Sequence, residues 1–497
     1  RSLSLSPARG AEAGRERAER AAALDLGGEA LVLAAAKGDV HMLRSLVASG
    51  VPIDAYGTVQ GEGGGGAVEC CALHVAARAG DAATLSALLA GGADAGLRDS
   101  RGSGALHLAV LAGSAPCARL LLGVGCPQHE LDGDGRAPVH AAVAAGVLQV
   151  LQVLLDADAS VASLPCASLL PVHVAAAADQ GSAVRLLASA RADLDVLATS
   201  EHAPLHLAAA AGGRGAVAAL VECGASLSVR GERSGKTPLH CACERGRLAV
   251  ARALLGAGAA VGETDASGAT ALHWASRAGA SDVAAALLEA GATVDAVSRG
   301  GSRPLHLACE AAAGELVSLL LARGASALAP DASGVAPLHA AAASGCEEAV
   351  EALLAAGAPV EAELEIRGME ALSNATEGHT KRPLFLAAEK GHAAVVRRLL
   401  ATGADANAVA TVAGSGAVSR LSPLWAARRG GHAEAEAALV VAGAVEVAEM
   451  QPLPPSLDDS GSGAGERGDE ASVRALESLS VDGSVGEGPL PAGGVLL

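Results

Sequence analysis

A 33-residue recurrence constrains this chain more than any other feature. Its best-formed copy is Ser234-Gly-Lys-Thr-Pro-Leu-His240-Cys-Ala-Cys-Glu-Arg-Gly246. Aligned on His240, the same setting returns backwards at His206, His173, His140, His107 and His74, and forwards at His273, His306 and His339, with one step of 34 residues. A fixed period of about 20–50 residues marks stacked repeats, and it overrides the few globular domains that length alone would suggest.

Each unit has a physical grammar. Thr237 suits the N-cap of a helix, and Pro238 follows at the first helical position, where a missing N–H costs nothing. Leu239, Ala242 and Cys243 give an apolar face at helical spacing, and Gly246 stops the helix. A second helix is predicted over Leu248–Leu255, with Gly258 as a left-handed C′ residue. Asp265-Ala-Ser-Gly268 then makes a tight turn into the next Thr270. Two short helices bury too little surface alone, so the units must stack.

The Thr-Pro-Leu-His-x-Ala-Ala core, the Gly-Ala-Asp after the second helix and the Asp-x-x-Gly turn resemble the ankyrin repeat over about residues 28–447. The resemblance implies an all-α solenoid of about twelve helix-turn-helix units with hairpin fingers. It also implies that His74, His107, His140, His173, His206, His240, His273, His306 and His339 are structural, bonding across the loop region.

Taken in order, residues 1–27 read as a polar tail, with Ser6-Pro7 a possible phosphosite set against an unmodified tail. Repeat one is degenerate, as a terminal repeat should be. Insertions fall near 56–69, 362–380 and 411–420, the first a Gly-rich flexible finger. Repeats eleven and twelve carry Phe385 and Trp425 in place of histidine, and residues 448–497 read as a disordered Pro/Ser/Gly-rich acidic tail. Repeats four and five look weakest. Ala137 and Leu170 replace the Thr cap, Asp158 and Arg191 stand at left-handed glycine positions, and the finger Pro165-Cys-Ala-Ser168 lacks its Asp and Gly.

Composition narrows the function. Net charge is −18, with nine acidic and two basic residues among the last fifty. That balance argues against a general nucleic-acid grip, which needs a basic face. No 18-residue apolar run suggests a membrane span, and no secretory leader is read. Ten scattered cysteines fit reduced thiols in a cytoplasmic or nuclear compartment. A monomer is expected.

Catalytic and metal readings fare poorly. Gly235-Lys236-Thr237 resembles the end of a phosphate loop, but Arg230 stands where that pattern needs glycine. The histidines recur about 10 Å apart in a stack, whereas metal ligands lie about 2 Å from one ion. Cys241-Ala-Cys243 and Cys70-Cys71 have no partner pair at zinc spacing. No cofactor and no catalytic set is expected. Asn374-Ala-Thr376 is a glycosylation sequon without a secretory route, and the resemblance allows hydroxylation at Asn407.

The expected function is a scaffold or adaptor that binds a partner protein on the concave surface. Helix one should expose the fourth and fifth residues after the histidine. In repeats seven to twelve these are Glu244-Arg245, Arg277, Glu310, Glu389-Lys390 and Arg429, while the fingers add Arg233, Lys236, Arg299, Arg303 and Lys381-Arg382. Earlier repeats offer mostly alanine. The alternatives are the regulatory array of a larger enzyme or channel, or a substrate-recognition subunit of a ubiquitin ligase, although Gln451–Leu497 does not resemble a recruiting box. Val495-Leu-Leu497 could suit a PDZ groove.

Overall fold

The computed structural model describes residues 27–59, 67–166, 168–198, 201–366, 379–414 and 417–452. Ser6-Pro7, Asn374 and Val495–Leu497 lie outside the described residues. The chain forms two compact units, residues 1–231 and 232–497. Each carries six helix pairs among its described residues. Repeat seven shows the pattern: helices Pro238–Glu244 and Leu248–Gly256, with Gly246 and Gly258 at φ +65° and +95°. Within each unit first helices pack on neighbouring first helices and second on second. The cores are thin, built from Ala, Val and Leu such as Leu239, Val250, Ala251 and Leu254.

The Thr caps act differently from the expectation. Thr237 stands at the N-cap, but its hydroxyl lies 2.8 Å from His240 Nδ1 instead of reaching a helix N–H. The Thr237 N–H donates to the same Nδ1 at 3.1 Å, which leaves the ring proton on Nε2 to donate to Ala269 O at 3.2 Å. One neutral imidazole thus ties the helix start to the following finger.

Asp158 corrects a second expectation. It is not left-handed: at φ −154° it is extended and caps a 3-10 turn, Ala159–Ser163, through the Ser160 N–H at 2.9 Å. A left-handed β-substituted residue costs about 1 kcal/mol or more, and here the chain takes another route. Arg191 does adopt φ +63°.

The insertions form sheets. Strand β1 (Tyr56–Val59) pairs antiparallel with β2 (Val68–Cys71), so the described part of the first insertion is a hairpin. In the second unit β3 (Leu364–Ile366), β4 (His379–Lys381), β5 (Ala410–Gly414), β6 (Ala417–Leu421) and β7 (Ala448–Pro452) follow one another in a five-stranded antiparallel sheet. Residues 448–452, expected in the disordered tail, are therefore its last strand. Beside the sheet, Phe385, Ala410, Leu421 and Ala426 form an apolar cluster with Trp425 against it. Where the histidine staple is missing, aromatic packing stands in its place.

Candidate protein-interaction site

First helices of repeats seven to nine end at the fourth residue past the histidine: Glu244, Arg277 and Glu310. With no further helical turn to cover them, these charged side chains stand at the rim of the finger face. Repeat eight adds an aromatic that sequence reasoning passed over. Trp274 follows His273, where repeat seven has Cys241 and repeat nine Leu307, and its indole is half-buried. Its Nε1–H donates to Asp265 Oδ2 at 3.0 Å.

Asp265 is itself buried, which pushes its pKa up. The Ser267 N–H (2.8 Å), Ser267 hydroxyl (2.7 Å), Ala269 N–H (2.9 Å) and the indole outweigh that and hold its carboxyl below the ordinary range. The finger turn thereby fixes the ring. Lys236 Nζ sits 3.8 Å from the ring centroid and Arg277 Cζ 5.5 Å away. Lys236 also pairs with Glu244 at 3.2 Å. Cation–π contacts of this kind contribute about 0.5–2 kcal/mol as water is excluded, so the cluster is preorganised.

Of the ten expected partner-facing residues, Arg233, Arg245, Arg277, Arg299, Glu310 and Lys390 are exposed. Four are half-buried and engaged within the fold. Lys236 and Glu244 hold each other, Glu389 pairs with Lys381 at 3.1 Å, and Arg303 Nη1 donates to Pro330 O at 3.1 Å. Lys236, Glu244 and Arg277 gather round Trp274. Glu310 has its pKa raised by the packing of neighbours round its carboxyl and by Asp331, against the pull of Arg277. Glu389 and Lys390 belong to repeat eleven and do not join this cluster.

The histidines are buried donors. Nε2–H reaches a carbonyl of the next finger from His74 (Leu97), His107 (Arg136), His173 (Val196), His240 (Ala269), His273 (Ser302), His306 (Val335) and His339 (Ala362), at 3.0–3.2 Å. His140 is the loosest of them: neither ring nitrogen makes a close hydrogen bond among the described residues, although the Leu169 and Leu164 carbonyls lie near enough to act on the ring. No set of three or more His, Cys, Asp or Glu side chains among the described residues could hold a metal ion. The ten cysteines are free. Burial pushes the thiols of Cys70 and Cys126 up to about 11, and those of Cys243 and Cys309 higher still.

Gly235 and Lys236 belong to a finger turn, Gly235 at φ +63°, with Lys236 committed to Trp274 and Glu244 and not to a phosphate cradle. Asn407 Oδ1 accepts the Val445 N–H at 2.7 Å, tying repeat eleven's exit to the end of repeat twelve. No described helix is long and apolar enough to cross a membrane.

Comparison with known proteins then bears on the architecture. The family model described as ankyrin repeats in three copies matches residues 73–163, 172–265, 229–298 and 291–364, and the single ankyrin-repeat model matches 381–410. No curated protein matches the chain.

Proposed function

Since the chain belongs to the ankyrin-repeat family, whose repeats are protein-interaction modules, we propose that it is an adaptor or scaffold holding a partner protein on the finger face of repeats seven to nine. The observation that carries this is Trp274. Tryptophan and arginine are the residues most enriched at binding hot spots, and here a half-buried indole has two cations within 5.5 Å of its ring centre, in repeats that also expose Arg245, Arg299 and Glu310. A ring fixed by Asp265 and a lysine fixed by Glu244 lose little freedom on docking, which favours affinity.

The test is quantitative capture with the full chain as bait, compared with Arg245→Ala/Arg277→Ala and with Trp274→Ala. Both arginines are exposed, so the double variant should melt within about 1 kcal/mol of the parent, the loss being the Arg277–Trp274 contact. The reading expects one or more captured proteins to be depleted roughly tenfold by both variants, equivalent to about 1.4 kcal/mol, and to bind the purified parent chain directly. An unchanged set of captured proteins would sink it.

A further inference from the structure

Repeats seven to nine turn most of their carboxylates inward. Asp265 accepts from Ser267, Ala269 and Trp274, Asp295 accepts the Ser326 N–H at 3.1 Å, and Glu244 holds Lys236. Three arginines of the same repeats behave differently. Arg245, Arg277 and Arg299 are exposed, and among the described residues none of the three makes a salt bridge or a side-chain hydrogen bond. Each guanidinium is a planar fork of N–H donors with no acceptor of its own. Exposed carboxylates on these fingers and first-helix ends are Glu232 and Glu310. Glu310 does not consume Arg277: its carboxyl stays above the ordinary range because burial and Asp331 outweigh that arginine.

The elements that fix the Trp274 indole also place these cations. Arg277 Cζ lies over the ring, 5.5 Å from its centroid, so the cation is held while its fork stays unspent. The Arg299 N–H donates to Ser267 O at 2.8 Å, and its stem lies so close to the finger turn that a Cβ on Gly268 would stand 3.2 Å from Arg299 Cγ. Ser267 is the residue whose N–H and hydroxyl hold Asp265, and Asp265 holds the indole. Arg245 directly follows Glu244, the carboxylate that pairs with Lys236 over the same ring.

We infer that the partner presents an acidic segment to repeats seven to nine, a run of Asp and Glu side chains whose carboxylates are taken by Arg245, Arg277 and Arg299. This rests on the reading of that face as the partner site and adds the partner's chemistry. A carboxylate matches the guanidinium fork with two parallel bonds, and such charge-assisted bonds are about twice as strong as neutral ones. A neutral acceptor would satisfy a donor, but only an anion also offsets three like charges. The arginines come from repeat seven, repeat eight and the finger entering repeat nine, and packed neighbours lie about 10 Å apart. One phosphate cannot span them, whereas a run of carboxylates can. In a chain of net charge −18 an acidic segment meets repulsion at long range, so these local forks set where it docks.

The probe is a phage-displayed library of random peptides, selected on the full chain and, in parallel, on Trp274→Ala. Peptides that the parent retains and Trp274→Ala loses should carry about three more carboxylates than cations, one for each fork. One such peptide, synthesised and titrated, should bind several-fold more weakly at about 300 mM salt than at about 50 mM. Arg245→Glu/Arg299→Glu should weaken it by more than roughly tenfold, and Glu310→Gln, which removes a competing carboxylate, should strengthen it about two- to threefold. All three positions are exposed, and thermal melts of the variants check that the fold is kept. The inference is overturned if the Trp274-dependent peptides are neutral or basic, if binding is indifferent to salt, if Arg245→Glu/Arg299→Glu binds like the parent, or if Glu310→Gln weakens binding. If no retained peptide depends on Trp274, the partner face itself is misplaced and this inference falls with it.

Discussion

Repeats four and five of the first unit share their plan with repeats seven and eight of the second, and they make fewer of its bonds. In repeat eight, His273 Nδ1 accepts the Thr270 N–H at 3.1 Å with the Thr270 hydroxyl 2.9 Å away, and Nε2–H donates to Ser302 O at 3.1 Å. Asp265 organises the finger between repeats seven and eight. In repeat four, Ala137 has no hydroxyl to offer, and among the described residues His140 makes no close hydrogen bond through either nitrogen. The fifth finger, which lacks its Asp and Gly, still carries the Leu169 carbonyl to the ring's neighbourhood, 29 residues on as Ala269 is from His240, but without the close bond made in repeats seven and eight. Three of the four described non-glycine residues with positive φ, Ser168, Asp179 and Arg191, fall in repeat five or the finger leading into it. A defect in one finger is thus felt by the histidine of the repeat before it, as nearest-neighbour coupling in a stack requires.

The largest effect expected is on acid stability. Burial holds His74, His107, His140 and His173 of the first unit, and His273, His306 and His339 of the second, below their ordinary value of 6.5. In the unfolded chain these rings take up protons near pH 6.5, whereas the folded rings hold off to lower pH. Between those two values the unfolded state binds more protons, so stability falls as pH drops, and the loss ends below the folded values. Each histidine contributes up to about 1.4 kcal/mol per pH unit, and the three in the second unit together about 4. Urea melts at pH 7.5, 6.5 and 5.5 should show the midpoint falling mainly over the lower interval. A midpoint indifferent to pH would remove the neutral imidazole from the account of what holds the repeats.

Next is a direct contrast between two histidines. His273→Ala leaves a buried N–H and a buried carbonyl unpaired and opens a cavity, a cost of about 3 kcal/mol. His140→Ala opens a similar cavity but breaks only weak polar contacts with the Leu169 and Leu164 carbonyls, so its cost should be about 1 kcal/mol smaller. Local opening energies from hydrogen exchange would measure both in the full chain. Equal costs would mean that His140 is bonded as fully as His273 and that the two regions do not differ as described. In the parent chain the same measurement should find residues 155–200 opening more readily than 237–345, by about 2 kcal/mol from the missing caps and the strained turns.

Much of this was legible beforehand, because a period of 33 fixes which residues are equivalent. Helix pairs, glycine stops and the structural histidines all follow from that register. The sheet does not. Pairings such as Leu364 with Lys381 and Thr380 with Thr411 join insertions that break the period, and no local pattern encodes them. Trp274 was overlooked because its slot is an ordinary half-buried one; the available signal was rarity, since the chain holds two tryptophans. The lysine that caps it was legible too: Lys236 and Glu244 lie eight residues apart, as Lys381 and Glu389 do, and both pairs form.

The smallest predicted effects test whether strain weakens repeat five, and they separate strain from compensation. Arg191 is exposed at φ +63° and Ser168 at φ +71°. Among the described residues neither side chain makes an ion pair or hydrogen bond, so glycine at either position should relieve about 1 kcal/mol of left-handed strain, less some backbone entropy. Arg191→Gly and Ser168→Gly should each gain a few tenths to about 1 kcal/mol. Asp179, at φ +55°, looks like the same defect and should behave oppositely. Its Oδ1 accepts the Ala216 N–H at 2.7 Å, reaching from repeat five to the second helix of repeat six. Asp179→Gly removes that bond and leaves a helix-start N–H without its acceptor, so a net loss of about 1 kcal/mol is expected. Thermal melts of the three variants decide the matter. If Asp179→Gly stabilises as much as the other two, the bond to Ala216 contributes nothing and strain alone distinguishes the two regions.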